Sequence, residues 1–175
     1  MSRFEKVSLK QWRAGVCKAL KLGEYETVDK DVQLRIDELY DNIKLPQRAT
    51  KNSSGYDFYL PISSMFSETP VLVPTGIRWV CDENETNQTL LIVPRSSLGT
   101  KFNLRLTNTI GVIDADYANS DNEGHIFASI VANNGTNIIV DERFVQGIIV
   151  NYNTVTDDNV TTIRNGGFGS TDEVK

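Results

Sequence analysis

The chain has 175 residues, a length that suits one domain with a sizeable core, and its 39% hydrophobic content argues against wholesale disorder. No apolar stretch is long enough to span a bilayer, and Met1-Ser2-Arg3-Phe4-Glu5-Lys6 has no apolar run behind its charges. Neither a membrane span nor a signal peptide is expected, and the expected location is cytoplasmic. A formal charge of −5 without any run of Lys and Arg excludes the basic stripe that polymeric nucleic acid needs. A small polyanion stays open as a ligand, because one arginine and a metal ion neutralise it locally.

The first element expected is a short strand over Arg3 to Val7. Ser8 and Gln11 then spell a capping box, and Leu9, Trp12, Val16 and Leu20 recur at helical spacing, with Gly23 suited to stop the helix. Val32, Ile36, Leu39, Tyr40 and Ile43 form a second amphipathic stripe, ended by Leu45-Pro46. Both stripes are expected to pack on the body of the protein.

After Pro46 the texture changes to short runs of Val, Ile, Leu and Thr punctuated by Gly, Asn, Asp and Pro. Phe102, Leu104 and Leu106 alternate with polar residues as in a half-buried strand. Asp82 to Gln88 reads as a polar hairpin loop. Asn134-Gly135, between His125–Asn133 and Thr136–Val140, is the strongest hairpin signal in the chain. The expected fold class is therefore all-β, a barrel or sandwich of short strands with two helices inserted near the start. The last dozen residues, with Gly166-Gly167-Phe168-Gly169-Ser170-Thr171, read either as a loose tail or as a mobile lid.

Cys17 and Cys81 are too few for a zinc cluster and read as reduced, buried thiols. His125 is the only histidine, which excludes a His-rich metal site. Polar groups stand in unusual settings at four places. Asp57 follows Ser54-Gly55-Tyr56 into an apolar strand. Pro94-Arg95-Ser96-Ser97-Leu98-Gly99 interrupts another. Gly111-Val112-Ile113-Asp114-Ala115-Asp116-Tyr117 sets two carboxylates among apolar neighbours, and Gln146 lies inside the apolar run Phe144 to Val150. Each alone has a structural role open to it: a turn cap, a surface ion pair, a satisfied backbone group. No P-loop or dinucleotide fingerprint competes for phosphate.

In this order, those four blocks and the glycine-rich tail resemble the five motifs of the homotrimeric dUTPase family, over about residues 45 to 172. Val73-Pro74-Thr75-Gly76-Ile77 resembles that family's usual strand and turn. The resemblance implies a dUTPase-like β-barrel or jelly roll in one domain. A helical insertion would occupy about 8–44, a β core about 45–160 and a C-terminal lid about 164–175. It implies hydrolysis of dUTP to dUMP and pyrophosphate with Mg2+, by water attack on the α-phosphorus, in sites between the subunits of a homotrimer.

The same resemblance assigns roles. Asp114, enclosed by Val112 and Ile113, would activate the water with raised basicity. Arg95, Ser96, Ser97, Gly99 and Gln146 would hold the phosphates. Asp57 would hold the metal through a water. The hairpin from Asn108 to Asp114, with Gly111 and Ile113, would present main-chain groups to uracil, and Tyr117 would exclude a 2′-hydroxyl. Phe168, with Gly169 and Ser170, would close over the base from a neighbouring subunit, and Arg164 would reach phosphate.

The sequence departs from the family pattern in the helical insertion and in the extra Asn119-Ser120-Asp121-Asn122-Glu123 before Gly124. It departs also at Ser97 for glycine, in one residue missing between Arg164 and Gly166, and at Asp172 for the final glycine. Two rivals remain on the same fold: a dCTP deaminase, bifunctional or not, and a nucleotide-sensing regulator. The deaminase would need a glutamate near the position of Ser129 and Pro-Gly-aromatic where Ala115-Asp116-Tyr117 stands.

Overall fold

The computed structural model describes residues 1–82, 84 and 87–162. The expected lid, with Arg164, Phe168, Gly169 and Ser170, lies outside the described residues.

The chain opens with strand β1 (Arg3–Lys6) and helices α1 (Leu9–Leu20) and α2 (Lys30–Asp41). There follow β2 (Gln47–Arg48), β3 (Tyr56–Tyr59), β4 (Ser64–Phe66), β5 (Val71–Pro74), β6 (Ile77–Val80) and β7 (Gln88–Pro94). A short helix α3 (Ser96–Phe102) leads to β8 (Arg105–Leu106), β9 (Gly111–Asp114), β10 (Phe127–Val131), β11 (Thr136–Ile138) and β12 (Arg143–Asn151). Among the described residues the strands form a five-stranded sheet in the order β2-β3-β12-β7-β9, a three-stranded sheet β5-β10-β8, and the pairs β1-β6 and β4-β11. All pairings are antiparallel. No helix among the described residues is long and apolar enough to cross a membrane.

The mostly-strand expectation holds, as do the first strand and both N-terminal helices. Ser8 caps α1, its hydroxyl accepting from the Gln11 amide at 3.1 Å. Trp12, Val16 and Cys17 are buried, while Leu20 is half exposed. The helix stops at Lys21, not Gly23. Lys21 takes the left-handed conformation, and the Lys21 and Leu22 amides return to the Lys18 and Cys17 carbonyls. Trp12 Nε1 donates to the Ile36 carbonyl at 2.8 Å, and Arg13 grips Asp37 with two bonds, fixing α1 against α2. In α2, Ile36 is buried but Val32 is exposed; Gln33 takes a buried place, its amide donating to the Tyr25 and Val28 carbonyls. The helix ends four residues before Leu45.

Three expected strand features change. Phe102 is the last residue of α3, because Asn103 turns left-handed and reverses the chain. Leu104 and Leu106 still bury, so the alternation marks core residues without a continuous strand. Asn134-Gly135 does make a tight turn, with the Thr136 amide reaching the Asn133 carbonyl at 3.3 Å. Its arms part, however: β11 pairs with β4 and β10 with β5 and β8. Likewise β6 and β7 belong to different sheets, so the loop between them joins sheets and closes no hairpin.

Candidate active site

The chemistry-bearing residues fall into two groups, each fixed by strand register. The first gathers at one end of the five-stranded sheet. Gln146 on β12 stands opposite Asp57 on β3 and Val93 on β7, two residues before Arg95. Asp57 is 7% exposed, and its carboxylate is held on both sides. Arg95 Nε lies 3.1 Å from Oδ1, and Arg143 Nη1 lies 3.0 Å from Oδ2. Arg95 Nη1 also donates to the Arg143 carbonyl at 3.4 Å. A Cβ on Gly55 would sit 2.3 Å from Gln146 Oε1, so the glycine leaves the space that the Gln146 amide fills.

One carboxylate between two guanidiniums carries a formal charge of +1. Such a group suits phosphate oxygens, which accept charge-assisted bonds from the arginines. It does not fit a resident Mg2+, since both Asp57 oxygens already face cations and the ion would meet net positive charge. Among the described residues no cluster of three or more His, Cys, Asp or Glu side chains forms a metal site elsewhere. Arg143 is a member the sequence reading missed, although it directly precedes the apolar run that holds Gln146; only cross-strand register brings it to Asp57.

Ser96 and Ser97 begin α3 with exposed side chains, next to Arg95. The Gly99 amide was expected to meet phosphate, yet it donates to the Arg95 carbonyl at 3.0 Å. The chain after Pro94 coils into helix, and that bond uses the donor.

The second group surrounds a pocket of about 250 Å³. Asn108, Gly111, Ile113 and Tyr117 line it, together with Phe127 and Ser129 from β10. None of the lining residues is charged. Thr109 is left-handed and its amide reaches the Leu106 carbonyl, bending the chain between Asn108 and Gly111, both of which line the pocket. This segment is a bend between two sheets and not a paired hairpin, because β8 joins β10 and β9 joins β7. Tyr117 is buried, its hydroxyl donating to the His125 carbonyl at 3.2 Å.

Asp114 ends β9. It is exposed, and Val112 on the same strand face is 60% exposed, so the expected apolar enclosure is not present within one chain. Side chains two apart on a strand share a face, and here that face is turned away from the core.

Register also separates the two groups. Asp114 lies opposite Thr89, whereas Arg95 is six positions further along the same β7 direction. At 3.2–3.4 Å per residue the separation along the strand is about 20 Å. One chain therefore does not bring Asp114 to Arg95, Asp57 and Gln146.

The family model described as dUTPase matches residues 41–172. The deoxyuridine 5′-triphosphate nucleotidohydrolase of Lactococcus lactis is 36% identical over 135 residues, covering 74% of this chain and 88% of the relative. That of Buchnera aphidicola is 35% identical over 158 residues, covering 81% and 94%. The crystal structure of the dUTPase from Streptococcus mutans superposes with a TM-score of 0.59 at 28% identity, over 87% of this chain and 98% of that one. A phage phi11 dUTPase, described with a structural Mg(II) ion, has a TM-score of 0.55 at 18% identity and covers 70% and 92%. The model match over most of the residues, and relatives above 30% identity, establish that the chain belongs to the dUTPase family.

Proposed function

We propose that the protein hydrolyses dUTP to dUMP and pyrophosphate. The carrying observation is the pairing of an uncharged pocket, lined by Asn108, Gly111 and Tyr117, with a separate cationic and amide cluster at the end of β7. The first suits a neutral base and its sugar; the second suits a polyphosphate. Uracil bonds to the 107–111 backbone, and cytosine would leave the same groups mispaired. The Tyr117 ring walls the sugar against a 2′-hydroxyl. Arg95, Gln146 and Arg143 bind phosphate oxygens, with Ser96 and Ser97 beside them. Asp114 accepts a proton from water, whose oxygen bonds to the α-phosphorus as the α–β bridging bond breaks and pyrophosphate leaves.

Magnesium belongs to this reading as part of the substrate, a Mg-triphosphate, with Asp57 near it and its own oxygens held by arginine. The separation of the two groups along β7 supports sites shared between subunits, with Asp114 and the base pocket of one meeting the arginine cluster of another, and the family resemblance makes the assembly a homotrimer. The same reading makes α1 to α2 a helical insertion in a β-barrel or jelly roll, and the residues from Arg164 a lid carrying Phe168.

A dCTP deaminase needs a carboxylate at the base, and no lining residue of the pocket supplies one; Ser129 stands on that wall. Incubation with dUTP and with dCTP, reading pyrophosphate and ammonia, tests the proposal. Pyrophosphate from dUTP without ammonia from dCTP is the expected result. Ammonia release would establish the deaminase, and binding of dUTP without any product would favour a nucleotide sensor.

A further inference from the structure

Two departures from the family pattern, the N-terminal helices and the residues 119–123, meet each other in the structure. The Glu123 carboxylate accepts from the Ser8 amide at 2.7 Å and from the Ser8 hydroxyl at 2.6 Å. The sequence suggested that Gln11 would complete the capping box of α1. Glu123, from 115 positions away, does so instead, while the Gln11 side-chain Nε2 lies 3.5 Å from His125 Nδ1. One turn on, Gly15 presses on the His125 ring, where a Cβ would lie 2.5 Å from Cε1. Helix α1 thus grips both ends of the segment from Glu123 to His125.

That segment in turn holds Tyr117. Its hydroxyl donates to the His125 carbonyl and accepts from Asn122 Nδ2 at 2.8 Å. Asn122 Oδ1 receives the Gly124 amide at 3.1 Å, so the asparagine is itself fixed. Gly124 has φ +72°, and a Cβ there would lie 2.6 Å from Ala118 Cα. The loop is folded tightly back on the residue after Tyr117. Both hydrogen-bonding roles of the phenol are therefore filled by the loop, and the ring faces the pocket.

We propose that Asn122 is a positioning residue for sugar selection, holding the Tyr117 ring in the attitude that excludes a 2′-hydroxyl, with the Glu123–Ser8 contact bracing the loop against α1. This rests on the reading of Tyr117 as the wall beside the deoxyribose. A steric filter discriminates only if the wall cannot retreat by the size of the rejected group. Two directed bonds at the far end of a ring resist that retreat better than packing alone.

The test measures Kd for dUMP and UMP by calorimetry, kcat and KM for dUTP, and thermal melting on full-length variants. Asn122→Ala should lower the dUMP preference over UMP about 10-fold, raising KM for dUTP more than it lowers kcat. Asn122→Asp keeps the acceptor for the Gly124 amide and loses the donor to Tyr117, so it carries the test should the alanine variant melt below assay temperature. Its preference should also fall, by less. In a Tyr117→Phe background, Asn122→Ala should add nothing, because the hydroxyl it acts through is gone. Ser8→Ala should shift the preference in the same direction. A preference within twofold of wild type for both Asn122 variants, or an undiminished effect in the Tyr117→Phe background, overturns the proposal. If Tyr117→Ala itself retains the full preference, the reading of Tyr117 as the sugar wall fails, and the proposal with it. A relaxed Tyr117→Ala beside unaltered Asn122 variants overturns the positioning role alone.

Discussion

Gly55→Ala separates stability from activity at one position. The backbone at Gly55 lies outside the left-handed region, so alanine meets no conformational strain there. A smaller unfolded-state entropy stabilises the variant by about 0.4–1 kcal/mol. The new Cβ would stand 2.3 Å from Gln146 Oε1, an impossible contact, but 3.5 Å from Gln146 Cβ, an ordinary one. The collision thus falls on the far end of a flexible side chain. Turning the amide away costs about 0.5–1.5 kcal/mol if it is forced off its rotamer. The two effects nearly cancel, and Tm should move by no more than about 4 °C for a chain of this size. Catalysis should not be spared. A hydrogen bond to a charged phosphate oxygen contributes about 1.5–3 kcal/mol, so displacing the amide should lower kcat/KM about 10- to 100-fold. Melting curves and pyrophosphate release read both quantities. Gln146→Ala should show the same kinetic loss, and Gly55→Ala added to it should change little. A kcat/KM within threefold of wild type, or a Tm drop of more than about 8 °C, would refute the reasoning.

His125 is fully buried, accepts the Gly76 amide on Nε2, and is held neutral by burial, which pushes its pKa from 6.5 down to about 3. Between those values the unfolded chain binds a proton that the folded chain refuses, so this stabilising contribution is complete above pH 6.5 and is lost as pH falls toward 3. From pH 7 to 5 urea unfolding should lose about 2 kcal/mol that His125→Asn does not lose, and parallel pH slopes would contradict it. Asp57→Asn removes the shared partner of Arg95 and Arg143, and should destabilise by roughly 1–3 kcal/mol in denaturant; a change under about 0.5 kcal/mol would make these pairs no more than surface contacts. Inactive Arg95→Ala and Asp114→Asn proteins, mixed under conditions of demonstrated subunit exchange, should recover activity, because some shared sites then combine intact halves. Absence of recovery would place the whole site in one subunit.

What the sequence made legible was local. The spacing of Trp12 and Val16 and the hydroxyl of Ser8 announced α1, and both do what periodicity and capping require. Its outer partner did not show, because Glu123 reaches Ser8 across 115 positions. Asn134-Gly135 specified a turn, but a turn does not choose which strands its arms join, and β11 found β4. Phe102, Leu104 and Leu106 alternated like a strand while a left-handed Asn103 let two burials occur without one. At the candidate site, the block order singled out Asp57, Arg95, Tyr117 and Gln146, and register sets Gln146 opposite Asp57. The block order did not show that both Asp57 oxygens face arginine, nor that Arg143 is one of them, since register across β3, β12 and β7 decides both. Enclosure of Asp114 was inferred from its neighbours in sequence, yet Val112 shares its outward face.

The most direct test of the dUTP reading is turnover and nucleotide affinity in Asp114→Asn beside the wild-type protein. The amide is isosteric and the side chain exposed, so folding and dUTP binding should be retained while kcat falls about 10²–10⁴-fold, with pyrophosphate as the product of the wild type. Turnover within threefold of wild type would remove Asp114 from the reaction, and loss of binding in step with turnover would assign it to holding nucleotide and not to activating water.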